Sequence, residues 1–107
     1  MQVYNFSEMK GGWFVGNFLP TAYWTDKFEV CYKEHKKDEF WDEHYHVIAT
    51  EINFLISGSM LINDKEIKAG QIFVIEPNFI AKPTFLEDCN LVVIKTPSIT
   101  NDKFIVK

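Results

Sequence analysis

Cysteine is scarce: Cys31 and Cys89 are the only two among 107 residues, and they lie far apart. Such usage predicts free thiols in a cytoplasmic protein rather than a disulfide framework. An excess of positive charge is also missing. Lys plus Arg number 11 against 15 Asp plus Glu, a net charge of −4 scattered without any basic stripe, so nucleic acid is not an expected partner. Apolar runs are short and broken by polar residues, which excludes a spanning helix. The first ten residues lack the basic start and apolar run of a signal peptide. Helical periodicity is almost absent, and there is no internal repeat and no glycine-rich phosphate loop.

What the chain does contain favours strands. Hydrophobic residues make up 47% and aromatic residues 16%, with ten Phe. Short β-rich runs recur about every eight to twelve residues between turn residues, the pattern of an all-β sandwich or barrel. The length corresponds to one domain, residues 1–107. Strands are expected near Gly12–Phe18, Phe28–His35, His44–Ala49, Glu51–Ser57, Met60–Ile62, Glu66–Lys68, Gln71–Ile75, Lys82–Phe85 and Leu91–Lys95. Asn63-Asp64 reads as a tight hairpin turn, since both residue types tolerate positive φ. Ser57-Gly58-Ser59 marks another turn, and Pro83 belongs at a strand start or an edge. The two ends carry Trp13, Phe14 and Phe18, and Phe104-Ile105-Val106, and so read as arms that pack on the barrel or on a second subunit.

The chemistry centres on His44-Tyr45-His46, followed by Glu51 and Gly58. Two histidines two residues apart on a strand point the same way, with Cβ atoms roughly 6.6 Å apart. Such imidazoles can lean onto one ion, and a carboxylate from a neighbouring strand completes one side of its coordination sphere. A facial set of two His and one carboxylate suits Fe, Mn, Ni or Zn. The candidate metal ligands are therefore His44, His46 and Glu51. Glu51 without a metal would be a buried carboxylate able to act as a general base.

Read as spacing, H-x-H, four residues, E, six residues, G resembles the first motif of the cupin family. The glycine that opens the family's motif is replaced by Asp38, which can also take the left-handed conformation. In the second motif Gly70 matches, Glu76-Pro77-Asn78 stands for Pro-x-Gly, and Ala81 occupies the place of the fourth metal ligand. The resemblance covers about residues 33–96, and the segments Glu51-Ile52-Asn53-Phe54, Ile75-Glu76-Pro77-Asn78, Phe85-Leu86-Glu87-Asp88 and Lys95-Thr96-Pro97-Ser98 more loosely look like a group of short uncharacterised bacterial and phage cupins. The resemblance implies a double-stranded β-helix, the cupin jelly-roll barrel, as a homodimer with edges covered by exchanged N-terminal arms. It further implies a divalent transition metal held by three residues and an enzyme of dioxygenase, isomerase or epimerase type acting on a small polar metabolite. The alternative is a non-enzymatic module that binds a sugar or other small metabolite, since Ala81 cannot ligate.

Other residues divide between site and scaffold. Trp41 and Phe40 precede His44 at the expected barrel mouth, where they could stack on a substrate or form an apolar lid. Asn53 shares the parity of Glu51 and is either hydrogen-bonded or ligand-facing. Lys95 ends an apolar strand, as an anchor for an anionic substrate or as a snorkelling surface lysine. Tyr45 should face away from the metal and pack. His35, in Lys33-Glu34-His35-Lys36-Lys37, is expected in solvent. Cys89 beside Asp88 is disfavoured as a thiolate and hence as a nucleophile.

Overall fold

The computed structural model describes residues 1–107 as eleven strands and one short 3-10 turn, Phe6–Glu8. In chain order the strands are β1 (Trp13–Gly16), β2 (Tyr23–Trp24), β3 (Glu29–His35), β4 (His44–Tyr45), β5 (Thr50–Ser57), β6 (Ser59–Ile62), β7 (Lys65–Lys68), β8 (Ile72–Ile75), β9 (Pro83–Phe85), β10 (Cys89–Thr96) and β11 (Phe104–Ile105). Six of them form one sheet in the order β2-β1-β3-β10-β5-β8. Facing it are a three-stranded sheet, β7-β6-β9, and the pair β11-β4. No helix is long and apolar enough to cross a membrane.

Strand alternation assigns the inner face. In β10, Cys89, Leu91, Val93 and Lys95 point inward, and their partners are His35, Lys33, Cys31 and Glu29 on β3. On the other side Leu91, Val93 and Lys95 register with Leu55, Asn53 and Glu51 of β5. The core therefore runs from an apolar base, with Leu55, Met60, Phe85 and Leu91 all buried, to a polar upper end. Burying one such Leu or Phe contributes about 1.5–3 kcal/mol, so the apolar base is what stabilises the barrel.

The turns follow the residues placed in them. Asn63 has φ 54° between β6 and β7, as expected for the hairpin. Asp38 and Asn78, which stand where the resemblance expects glycine, take φ 63° and 71°. Gly58 has φ 91°, and a Cβ there would lie 2.3 Å from the Asp88 carbonyl oxygen, so no other residue fits without displacement. Pro83 opens β9 at the edge of its sheet.

Two expectations differ from the structure, and two strands are not among those expected at all. The strand read as His44–Ala49 ends at Tyr45, because the N–H groups of Val47, Ile48 and Ala49 all donate to the Asp102 carboxylate and not to a neighbouring strand. His35 is buried at 8% exposure rather than solvated, its ring stacked 4.3 Å from Phe85. The two-residue strands β2 and β11 carry too little periodicity to be read locally.

The ends pack on the barrel itself. Phe6 meets Phe14 and Tyr32 edge-on at 6.2 and 5.9 Å. At the other end Phe104 stacks on Tyr45 at 5.5 Å, with β11 paired to β4. Cys31 and Cys89 are both free and buried; burial pushes the Cys31 thiol up to about 11.

Candidate functional site

A cavity of about 220 Å³ opens at the polar end of the barrel. Its wall includes His44, His46, Glu51, Asn53, Lys95 and Trp41, whereas Phe40, expected beside Trp41 at the mouth, is 74% exposed outside it with the Lys82 ammonium over its ring. The wall also includes Lys33, His35 and Lys103, which sequence reasoning did not place there.

Each side chain is positioned by its strand. His44 pairs with Ala81 through two backbone hydrogen bonds, 3.0 and 2.8 Å, and the Ala81 methyl lines the cavity beside it. His44 Nδ1 donates to the Asp42 carbonyl at 3.2 Å, which leaves Nε2 with its lone pair. The His46 ring lies 5.7 Å from that of His44, nearly perpendicular. Although β4 ends between them, the two imidazoles still line the same wall, while Tyr45 faces away onto Phe104 as parity requires.

His46 is the most constrained of the group. It is only 3% exposed, and its Nδ1 lies 3.8 Å from the Glu51 carboxylate, ion-pair range but longer than a hydrogen bond. Its Nε2 is buried without any partner. Burial lowers the pKa of His46, and the Lys95 ammonium lowers it further against the opposing pull of Glu51. His44 is lowered as well, chiefly by burial. Both imidazoles are thus neutral near pH 7, the form that can accept a proton or bind a metal.

Asn53 resolves toward the cavity. Its side chain is 3% exposed, and its Nδ2 has no hydrogen-bond partner. A buried amide donor without an acceptor costs about 1–3 kcal/mol, and this one has none among the protein groups.

The lysines are unpaired. Lys33, Lys95 and Lys103 line the wall, and no carboxylate comes within salt-bridge reach of any of them. Lys33 and Lys95 lie over the Trp13 ring at 6.0 and 4.9 Å, and Lys103 lies 4.4 Å from the Trp41 ring centre. Burial lowers the pKa of Lys103, and Lys95 adds to the shift. Trp41 is in turn anchored by donating from Nε1 to Glu39 at 2.6 Å, and His35 Nδ1 meets the same carboxylate oxygen at 2.7 Å. Burial pushes the Glu39 carboxyl up, but the donors Trp41, His35 and the Lys36 N–H outweigh it and hold it low.

Two neutral imidazoles and a carboxylate suit a divalent transition metal as donor types, and His46 Nε2 is available. Their arrangement fits less well. Glu51 approaches His46 at Nδ1 while the unpartnered atom is Nε2, and no three His, Cys, Asp or Glu side chains come together as a ligand set. As arranged, the three side chains do not form a closed ligand set.

No family model matches the chain, and no curated protein does. Solved structures do. A double-stranded β-helix protein of Klebsiella pneumoniae is 19% identical over 77% of this chain and 72% of its own, with a TM-score of 0.67. Pac13, a nucleoside dehydratase from Streptomyces solved with uridine, is 15% identical over 100% of this chain and 92% of its own, with a TM-score of 0.73. KdgF from a Halomonas species is 15% identical over 72% and 74%, with a TM-score of 0.64. Identity this low speaks to architecture: the chain folds as a double-stranded β-helix, the jelly-roll barrel of the cupins.

Proposed function

We propose that the barrel is the active site of an enzyme that moves a proton on a small polar metabolite, with His46 as the proton carrier and Glu51 as its electrostatic partner. The observation behind this reading is the buried, unpartnered Nε2 of a neutral imidazole whose other nitrogen faces a carboxylate at 3.8 Å. A proton accepted at Nε2 makes His46 cationic, and the contact to Glu51 then becomes an ion pair, which stabilises the charged state formed during reaction. Trp41 and Asn53 would flank the substrate, one by its ring face and the other by its amide. Pac13 shows that a barrel of this shape can house a dehydratase, a reaction that requires both a base and an acid, and in that sense it supports the reading.

A second reading keeps the metal. Fe, Mn, Ni or Zn bound by His44, His46 and Glu51 would act as a Lewis acid beside the substrate, and the donor types together with the free His46 Nε2 favour it. It requires the His46 ring to turn onto the same ion as Glu51. In either reading the working unit is a homodimer. The outer face of β5 and β8 exposes Phe54, Ile56, Ile72 and Val74 without a charged residue among them, a surface suited to a second copy.

The test is solvent-hydrogen exchange into a panel of small polar metabolites in D₂O, followed by NMR, using protein purified without a nickel column. Wild type should label at least one metabolite, and His46→Gln and Glu51→Gln should abolish the labelling. Metabolites that bind without being labelled would leave a non-enzymatic binding module. Metal analysis of the same preparations decides the second reading: near-stoichiometric metal that is lost in His44→Ala/His46→Ala supports it, and a protein that takes up none when ions are added refutes it.

A further inference from the structure

The chain as a whole is acidic, with a net charge of −4, yet its cavity is not. Lys33, Lys95 and Lys103 line it against one carboxylate, Glu51, and His44 and His46 add no charge in their neutral form. No carboxylate forms a salt bridge with any of the three ammonium groups. Glu29 acts on Lys95 and Glu51 on Lys103 from farther off, so the mutual repulsion of the ammonium groups is offset only in part and an anion placed between them stabilises them. Lys95 and Lys103 also line a neighbouring recess with His46 and Asp102, the Asp102 carboxylate being taken up by the N–H groups of Val47, Ile48 and Ala49. The two ammonium groups are near enough for Lys95 to lower the pKa of Lys103. Asn53 Nδ2 adds a buried donor with no acceptor, 3% exposed. Ammonium groups and an amide N–H are all donors. The complement of such a wall is an oxyanion.

Resting on the reading of this cavity as the substrate site, we propose that its substrate is a small oxyanionic metabolite whose carboxylate or phosphate group is bound by Lys95 and Lys103, with an acceptor oxygen on Asn53 Nδ2. The volume of about 220 Å³ lies below the roughly 300 Å³ at which drug-sized pockets begin, so the ligand is compact. The Lys95 and Lys103 ammonium groups lie over the Trp13 and Trp41 rings, which restrains them and reduces the entropy lost when the anion binds.

Isothermal titration of the full chain with malonate, inorganic phosphate and the neutral analogue malonamide tests the proposal. Malonate or phosphate should bind, and malonamide should not. Lys95→Met and Lys103→Met should each weaken binding roughly tenfold or more, the loss expected for one charge-assisted contact, while exposed Lys65→Met should leave it unchanged. Lys103 is on the exposed C-terminal segment, so Lys103→Met carries the test even if Lys95→Met fails to fold. Tighter malonate assigns the site to carboxylates, tighter phosphate to phosphorylated metabolites, and both support it. Equal binding of malonamide, or affinity within twofold of wild type in Lys103→Met, overturns it. Lysine-dependent binding without any isotope exchange would remove the enzyme reading and leave this one standing. Exchange confined to neutral metabolites would do the reverse.

Discussion

Asp102 is the residue whose removal should be most costly to the site without touching a ligand. It is 7% exposed, and its carboxylate accepts from Val47 N at 3.1 Å, Ile48 N at 3.1 and 3.2 Å, and Ala49 N at 2.8 Å. Hydrogen bonds to a charged acceptor contribute about 1.5–3 kcal/mol each. Val47 and Ile48 are exposed, so water can replace the acceptor for them, whereas Ala49 is 2% exposed and its N–H would be stranded. Counting Ala49 in full and the other two in part gives about 3 kcal/mol for Asp102→Ala, roughly 10–15 °C in Tm for a domain of this size. Asp102→Asn keeps one acceptor oxygen and should lose less. Acid should act through the same group. Burial pushes the Asp102 carboxyl up, but the N–H donors of Ala49, Val47 and Ile48 outweigh it and hold its pKa below the ordinary 3.8. A carboxyl depressed by folding stabilises the protein fully above its unfolded pKa and progressively less as pH falls through the folded value. Wild type should therefore lose more stability than Asp102→Asn as pH drops below about 4. Urea melts at pH 7, 4 and 3 measure both effects. An Asp102→Ala midpoint indistinguishable from wild type, or parallel acid curves for Asp102→Asn and wild type, would refute the reasoning.

Gly58→Ala should cost about 3 kcal/mol or more, since φ 91° is strained for alanine and the new Cβ would meet the Asp88 carbonyl at 2.3 Å and Cys89 Sγ at 2.8 Å; an unchanged denaturation midpoint would contradict this. Ile72→Lys/Val74→Lys, on the exposed face of β8, should shift the protein to a monomer in analytical ultracentrifugation with little change in Tm. A wild type that is monomeric at high concentration would remove the homodimer reading.

How much of this was legible beforehand depends on how local each signal was. Glu51, Asn53 and Leu55 share one face because β5 alternates, and alternation is visible in the sequence itself. Asp38 and Asn78 could be read as left-handed because their residue types tolerate that conformation, and both adopt it. The segment Val47-Ile48-Ala49 misled, since its composition is that of a strand while its fate is decided by a carboxylate more than fifty residues away. His35 misled for the opposite reason. Its neighbours are lysines and a glutamate, which signal solvent, but pairing of β3 with β10 turns it inward opposite Cys89.

The C-terminal segment was the largest omission, and it ties the site together. Asp102 holds the loop after His46, Phe104 covers Tyr45 between the two histidines, and Lys103, between those anchors, enters the cavity wall. Flanking residues fixed on both sides restrict where the Lys103 ammonium can reach, and Trp41 receives it at 4.4 Å. Nothing periodic marks Asn101-Asp102-Lys103-Phe104 as functional, because each residue acts on a different long-range partner. The departure at Ala81 points the same way. Where the family resemblance leads one to expect a fourth ligand, this chain has a methyl group, and three unpaired ammonium groups line the same cavity. A wall with fewer metal donors and more cationic charge is better suited to holding an anion than to holding a cation.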